Sequence, residues 1–244
     1  MVKKSATITP DAVNDEDESD LPARAIRIFL SYSHKDKNLS GELKKKLERN
    51  GFETFMAHED IEPSKKWEEE IIRNLKKCDI FIPIISKNFK ESKWTDQETG
   101  IAFAEDKLII PINIGLVPYG FIGKYQALKY DENISHTCEK IMDTIRKSPI
   151  YDRVKDFFIK RFVKSEHFSE ANERVEKLEL FETFTVDQIN EIIRGYVNNY
   201  EIRGGFKSSP FVDSLFKKYS DVIDPELKEK YEACPETEIQ VTIF

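Results

Sequence analysis

From position 25 onward, short apolar runs alternate with stretches in which apolar residues recur every three or four positions. This rhythm predicts a parallel sheet covered by helices. Ile26, Ile28 and Leu30 alternate into the turn Ser31-Tyr32-Ser33-His34. Leu39, Leu43 and Leu47 then repeat at helical spacing until Gly51 supplies a stop. A second run over 52–56 passes through a polar segment to Ser64, a candidate cap for a helix whose inner stripe is Trp67, Ile71 and Leu75. The third run, 80–85, is apolar on both faces, as a central parallel strand should be; Pro83 lacks a ladder donor and predicts a local irregularity there. A helix carrying Trp94, Glu98, Ile101 and Ala102 follows. After it come a buried strand over 108–114, a turn-rich loop over 118–123, a short edge strand over 127–130 and a helix marked by Ile134, Cys138, Ile141 and Ile145.

Beyond Pro149 the period-2 texture gives way to helical stripes: Val154, Phe158 and Phe162; Val175 and Leu178; Ile189, Ile192, Ile193, Tyr196 and Val197; Phe211, Leu215 and Tyr219. Thr185 with Gln188 fits a capping box for the third of these. The expected organisation is an acidic, disordered tail over 1–24, an α/β domain over 25–148, a small helical domain over 150–232 and a flexible tail over 233–244. The first tail is assigned on its Asp and Glu content between Pro10 and Pro22.

Composition narrows the function classes. Over 244 residues, 39% are hydrophobic and 34% charged, enough for a real core beneath a polar exterior. A net charge of −7 argues against nucleic acid as a partner, since that binding relies on Lys and Arg displacing condensed counterions. No run approaches the roughly 20 apolar residues of a membrane span, and no secretory signal opens the chain, so the expectation is no membrane and a cytoplasmic location. Cys78, Cys138 and Cys234 form no C-x-x-C pair, and His34, His58, His136 and His167 have no metal-ligand spacing. Neither a disulfide framework nor a metal site is expected.

In an open parallel sheet, ligands bind beyond the carboxyl ends of the strands. That rule nominates 31–34, 57–64 and 86–98, together with the loop after Ile114. No G-x-G-x-x-G follows a strand and no G-x-x-x-x-G-K-[ST] occurs, so a Rossmann dinucleotide site and a P-loop are both excluded. Trp94 and Glu98 lie four apart and share a helix face near the strand ends. An indole can stack on a cationic or aromatic ring, and a partly desolvated carboxylate can hold ribose hydroxyls and oppose developing positive charge. The same spacing also suits a tryptophan packed on the sheet beside an exposed glutamate.

Read together, Ile28-Phe29-Leu30-Ser31-Tyr32-Ser33, the segment from Ala57 through His58, Asp60 and Pro63 to Ser64, and Ser92-Lys93-Trp94-Thr95-Asp96-Gln97-Glu98 resemble the Toll/interleukin-1 receptor (TIR) domain family in its prokaryotic branch. The stretch with Pro118-Tyr119-Gly120-Phe121-Ile122-Gly123 and Gln126-Ala127 resembles that branch too. The resemblance covers about 25–147 and implies a flavodoxin-like α/β fold with a five-stranded parallel sheet. It also implies cleavage of the nicotinamide–ribose bond of NAD, with NAD as substrate and no resident cofactor, in defence against phage.

Carried over residue by residue, the resemblance places the catalytic carboxylate at Glu98 and the pocket tryptophan at Trp94. Ser31, Ser33 and His34 fall near the substrate, and the loop with His58 and Asp60 closes on it and mediates assembly. Self-association through TIR domains and a defence-system partner protein are implied as well. Water as acceptor gives ADP-ribose, whereas an internal adenine nitrogen gives a cyclic product. A non-enzymatic TIR scaffold has the same fold, and Glu98 is what separates the two readings. A response-regulator-like domain is disfavoured, because Ser31, Ser33 and Ser86 stand where an acidic cluster and a phosphoacceptor aspartate would be required.

Overall fold

The structure is a computed structural model in which residues 24–56 and 67–234 are described. The expectations for 1–23, for 57–66 including His58, Asp60 and Ser64, and for 235–244 lie outside the described residues.

Strand β1 (Arg27–Ser31) leads through a 3-10 turn into α1 (Lys37–Arg49), and β2 (Glu53–Met56) precedes α2 (Trp67–Lys77). Then come β3 (Ile80–Ile85), the short α3 (Lys87–Glu91), α4 (Thr95–Ala104), β4 (Leu108–Ile109), β5 (Ile112–Asn113), β6 (Leu128–Lys129) and α5 (Ile134–Arg146). All strand pairs are parallel, in the order β2-β1-β3-β5-β6 with β4 also on β3.

The expected strand over 108–114 is therefore interrupted. Ile80 and Phe81 pair with β4, Ile84 and Ile85 pair with β5, and the break falls opposite Ile82 and Pro83, where the two segments are separated by Ile110 and Pro111. Pro83 and Pro111 fall opposite each other by register. Pro83 has no N–H to donate across the break, which is the irregularity that it predicts, while Pro111 turns its carbonyl to β6, accepting from Leu128 N at 2.8 Å. β4 and β5 occupy one position, so the sheet has five positions, with β6 on the edge as expected.

Side-chain alternation splits the core. Ile28, Leu30, Ile82 and Ile84 face α1 and α5, where Leu43, Leu47, Ile141 and Ile145 are fully buried. Phe29, Phe81 and Ile85 face the other way, onto Ile71 and Leu75 of α2 and Ala102 of α4. A strand buried on both faces has no polar side to alternate with, which explains the unbroken apolar run of β3.

The remainder is helical: α6 (Tyr151–Val163), α7 (Phe168–Leu178), α8 (Val186–Asn198), α9 (Tyr200–Arg203), α10 (Ser208–Tyr219) and α11 (Pro225–Glu232). The Thr185–Gln188 capping box is formed, and the amide of Gln188 also donates to Asp156 Oδ1 at 2.6 Å, tying the start of α8 to α6. The apolar core on the α1/α5 side continues without a break through Val154, Phe158, Phe162, Ile189 and Ile193. Phe52 meets Phe158 edge-on at 5.9 Å. At the opening of β3, the buried Asp79 accepts from the Arg27 backbone at 2.8 Å and is ion-paired with both Arg24 and Arg153, the latter from α6.

Candidate functional site

The carboxyl ends of β1 and β3 meet the start of α4. Thr95 Oγ1 donates to the Phe89 carbonyl at 2.6 Å, and Thr99 Oγ1 donates to the Thr95 carbonyl at 2.7 Å, fixing the first turn of α4 against α3. The loop after β5 braces the same helix from outside. Tyr119 donates to Asp96 Oδ1 at 2.8 Å, and Phe121 stacks on Phe103 at 5.3 Å.

Held this way, Glu98 turns inward. It is 5% exposed and accepts a 2.5 Å hydrogen bond at Oε2 from Ser31 Oγ, the last residue of β1, which is fully buried. Burial raises the Glu98 pKa to about 7, and the hydrogen bond from Ser31 lowers it part of the way back. A carboxyl group in this state holds its proton at higher pH than an ordinary glutamate does. It therefore differs from an exposed helical glutamate in both geometry and charge.

Trp94 is the N-cap residue of α4, one position ahead of the helix on which the sequence pattern places it. Its ring is half-buried and meets Trp67, the first residue of α2, edge-on at a centroid distance of 4.9 Å and an interplanar angle of 84°. Trp67 packs against the core face that includes Phe29 and Ile71, in line with its place on the inner stripe of α2, and it also buttresses Trp94. The segment 57–66 joins the carboxyl end of β2 to Trp67.

Of the other expected site residues, Ser33 is buried and its carbonyl accepts from Asp36 N at 2.7 Å, while His34 is exposed in the 3-10 turn. Ser31 and Glu98 are thus brought into direct contact, Trp94 stands one helical turn from Glu98, and Ser33 and His34 lie in the loop immediately after Ser31.

Asp36 belongs to the same edge and was not singled out from the sequence. Its carboxylate accepts from Ser86 Oγ at 2.6 Å and Asn88 Nδ2 at 3.1 Å, and its carbonyl accepts from Ser40 Oγ at 2.9 Å. Ser86 in turn accepts from Phe89 N at 2.9 Å as the N-cap of α3. Asp36 therefore joins the loop after β1 to the loop after β3. Flanked by Lys35 and Lys37, it reads in sequence as surface charge, and the partners of its carboxylate are some 50 positions away.

Two opposed tryptophans, a buried carboxyl with a raised pKa and a hydroxyl donor, all at the strand ends, form an arrangement suited to a flat cationic ring attached to a polar sugar. The TIR-domain family model matches residues 28–143, which include β1 through most of α5 and both Ser31 and Glu98. Over these residues the chain is similar to TIR domains. Among solved structures, the TIR domain of the Toll-related receptor TRR-2 from Hydra magnipapillata is 23% identical with a TM-score of 0.43, and the match covers 49% of this chain and 97% of that one. Comparison with curated proteins gives no match. No helix among the described residues is long and apolar enough to cross a membrane.

Proposed function

We propose that the TIR domain cleaves the bond between nicotinamide and ribose in NAD, with Glu98 as the catalytic carboxylate. The observation that carries this reading is the burial of Glu98 at the strand ends, with its pKa raised to about 7 and its side chain directed at Ser31. A glutamate with only a structural role gains nothing from desolvation, whereas a group that must oppose transient positive charge acts most strongly where water is excluded.

The chemistry requires a single carboxylate. Nicotinamide is a pyridinium in NAD, so when the C1′–N bond breaks its electron pair returns to the ring nitrogen and a neutral base departs without protonation. Two-carboxyl glycosidases must instead protonate a leaving oxygen. Ionised Glu98 stabilises the oxocarbenium-like sugar, and Trp94, backed by Trp67, borders the nicotinamide side. Water then adds at C1′, its proton passes to solvent and ADP-ribose results; capture by an adenine nitrogen gives a cyclic product. By the resemblance, His58, Asp60, Ser33 and His34 are assigned to contact with the substrate. The resemblance to prokaryotic TIR domains supports a role in antiphage defence. The shared core of the α6–α11 region and the sheet supports a regulatory or assembly role for those helices.

Incubating the full chain with NAD and separating products by mass spectrometry tests the reading. Free nicotinamide together with ADP-ribose or an isomer of its cyclic form is expected, and intact NAD after prolonged incubation with concentrated protein would refute it.

A second reading, a scaffold acting through TIR–TIR contacts, is favoured by Val117 and Phe121. They lie 66% and 64% exposed on the loop between β5 and β6. If that loop carries assembly, replacing both by Asp lowers the sedimentation coefficient of the concentrated protein.

A further inference from the structure

At the opposite end of the sheet from Glu98, the end of α1 and the start of β2 face α6 and α7 across a cavity of about 230 Å³. Arg49, Arg161, Arg174 and Lys177 line it, against Glu48 and Glu173. This is an excess of positive charge in a chain whose net charge is −7.

The four cations are not equivalent. Arg174 is ion-paired with Glu170 and donates to the Arg161 carbonyl at 2.6 Å, and Arg161 donates to the Gly51 carbonyl at 3.3 Å, so both are held in place. Arg49 and Lys177 have no ion-pair partner among the described residues. Burial lowers the Arg174 pKa and the neighbouring charge of Arg161 adds to this, while Glu170 and Glu166 oppose the shift.

Gly51 keeps the floor open. Its φ is +96°, and a Cβ there would stand 2.9 Å from Arg161 Nη1 and 3.0 Å from the Phe158 ring. Phe52 and Phe158 border the cavity as its apolar part.

We propose that this cavity binds a small phosphate-bearing ligand of about nucleoside-monophosphate size or less. The phosphate meets Arg49, Lys177 and the fixed guanidinium of Arg161, and a sugar or base lies toward Phe52 and Phe158. The volume is below the roughly 300–1,000 Å³ of drug-sized pockets, which excludes a dinucleotide such as NAD. Charge-assisted contacts to phosphate oxygens are the strong ones in such a site. Because α1 and β2 supply one wall and α6 and α7 the other, an occupant links the TIR domain to the helical region. The inference does not depend on the proposed NAD cleavage.

Calorimetric titration of the full chain with inorganic phosphate, AMP and adenosine tests it. Phosphate or AMP saturates with a Kd of about 1 mM or tighter, and adenosine does not bind. The doubly substituted Arg49→Glu/Lys177→Glu chain binds about tenfold or more weakly. Both positions are at least partly exposed, and circular dichroism establishes that the variant is folded; the neutral pair Arg49→Gln/Lys177→Gln gives an intermediate loss. The proposal is overturned if neither phosphate nor AMP saturates by about 10 mM, if adenosine binds as well as AMP, or if neither variant changes the affinity.

Discussion

The hydroxyl of Ser31 donates to Glu98 Oε2 at 2.5 Å, joining the last residue of β1 to the first turns of α4, and both side chains are buried. The same bond sets the charge of the carboxyl group, because it favours the ionised form in a place where burial opposes it.

Replacing Ser31 with Ala removes that donor. The Glu98 pKa then rises above about 7, and a larger fraction is protonated at neutral pH. The rising limb of the pH–rate profile for nicotinamide release is expected to move to higher pH by about one unit. An unshifted profile with a lower plateau would mean that Ser31 positions the carboxyl without tuning it.

Stability should carry the same signature. A carboxyl whose folded pKa is raised from 4.5 to about 7 binds a proton more readily in the native state than in the unfolded chain. Stability contributed by the protonated form is complete below pH 4.5 and is lost as pH rises through about 7. Glu98→Gln cannot ionise. Its stability relative to the unsubstituted chain should therefore grow by about 3 kcal/mol between pH 4.5 and pH 8. Urea denaturation of both proteins across that range checks this, and parallel curves would show that Glu98 is not desolvated in solution.

The tryptophan pair invites a double-mutant cycle. Trp67 and Trp94 meet edge-on at 4.9 Å. A coupling of about 0.5–1.5 kcal/mol in stability is expected between Trp67→Ala and Trp94→Ala. If both rings form one wall of the NAD pocket, each single substitution also raises KM.

Asp79 anchors α6 to the opening of β3 through Arg153 and also takes the Arg27 amide and Arg24. Asp79→Ala leaves a buried amide and two cations without their acceptor. It should destabilise the fold by about 3 kcal/mol. Arg153→Ala, whose side chain is half exposed, should cost clearly less. Thermal unfolding of the two variants measures the difference.

Periodicity made most of the fold legible. β3 has the expected bounds, 80–85, and the stripes of α1, α2, α5 and α8 lie inside the core. Pro83 gave warning of the broken ladder, but the split of its neighbour also needed Pro111 to fall opposite, a matter of register between strands that no single stretch contains. The Ser31–Glu98 contact was half legible. Both residues could be placed at strand ends, yet their bond spans 67 positions and only the packed fold brings them together. Asp36 was hidden for the same reason. The shared core of sheet and helices was hidden too, since a helical stripe marks which face is buried and not what buries it.

The most direct test is the rate of nicotinamide release from NAD at pH 7.5 by the concentrated full chain beside Glu98→Gln. The account predicts measurable release by the unsubstituted protein and a loss of about a hundredfold or more in the variant, with the variant as well folded as its parent. Equal rates in the two proteins, or no release by the unsubstituted chain as either monomer or assembly, would contradict it.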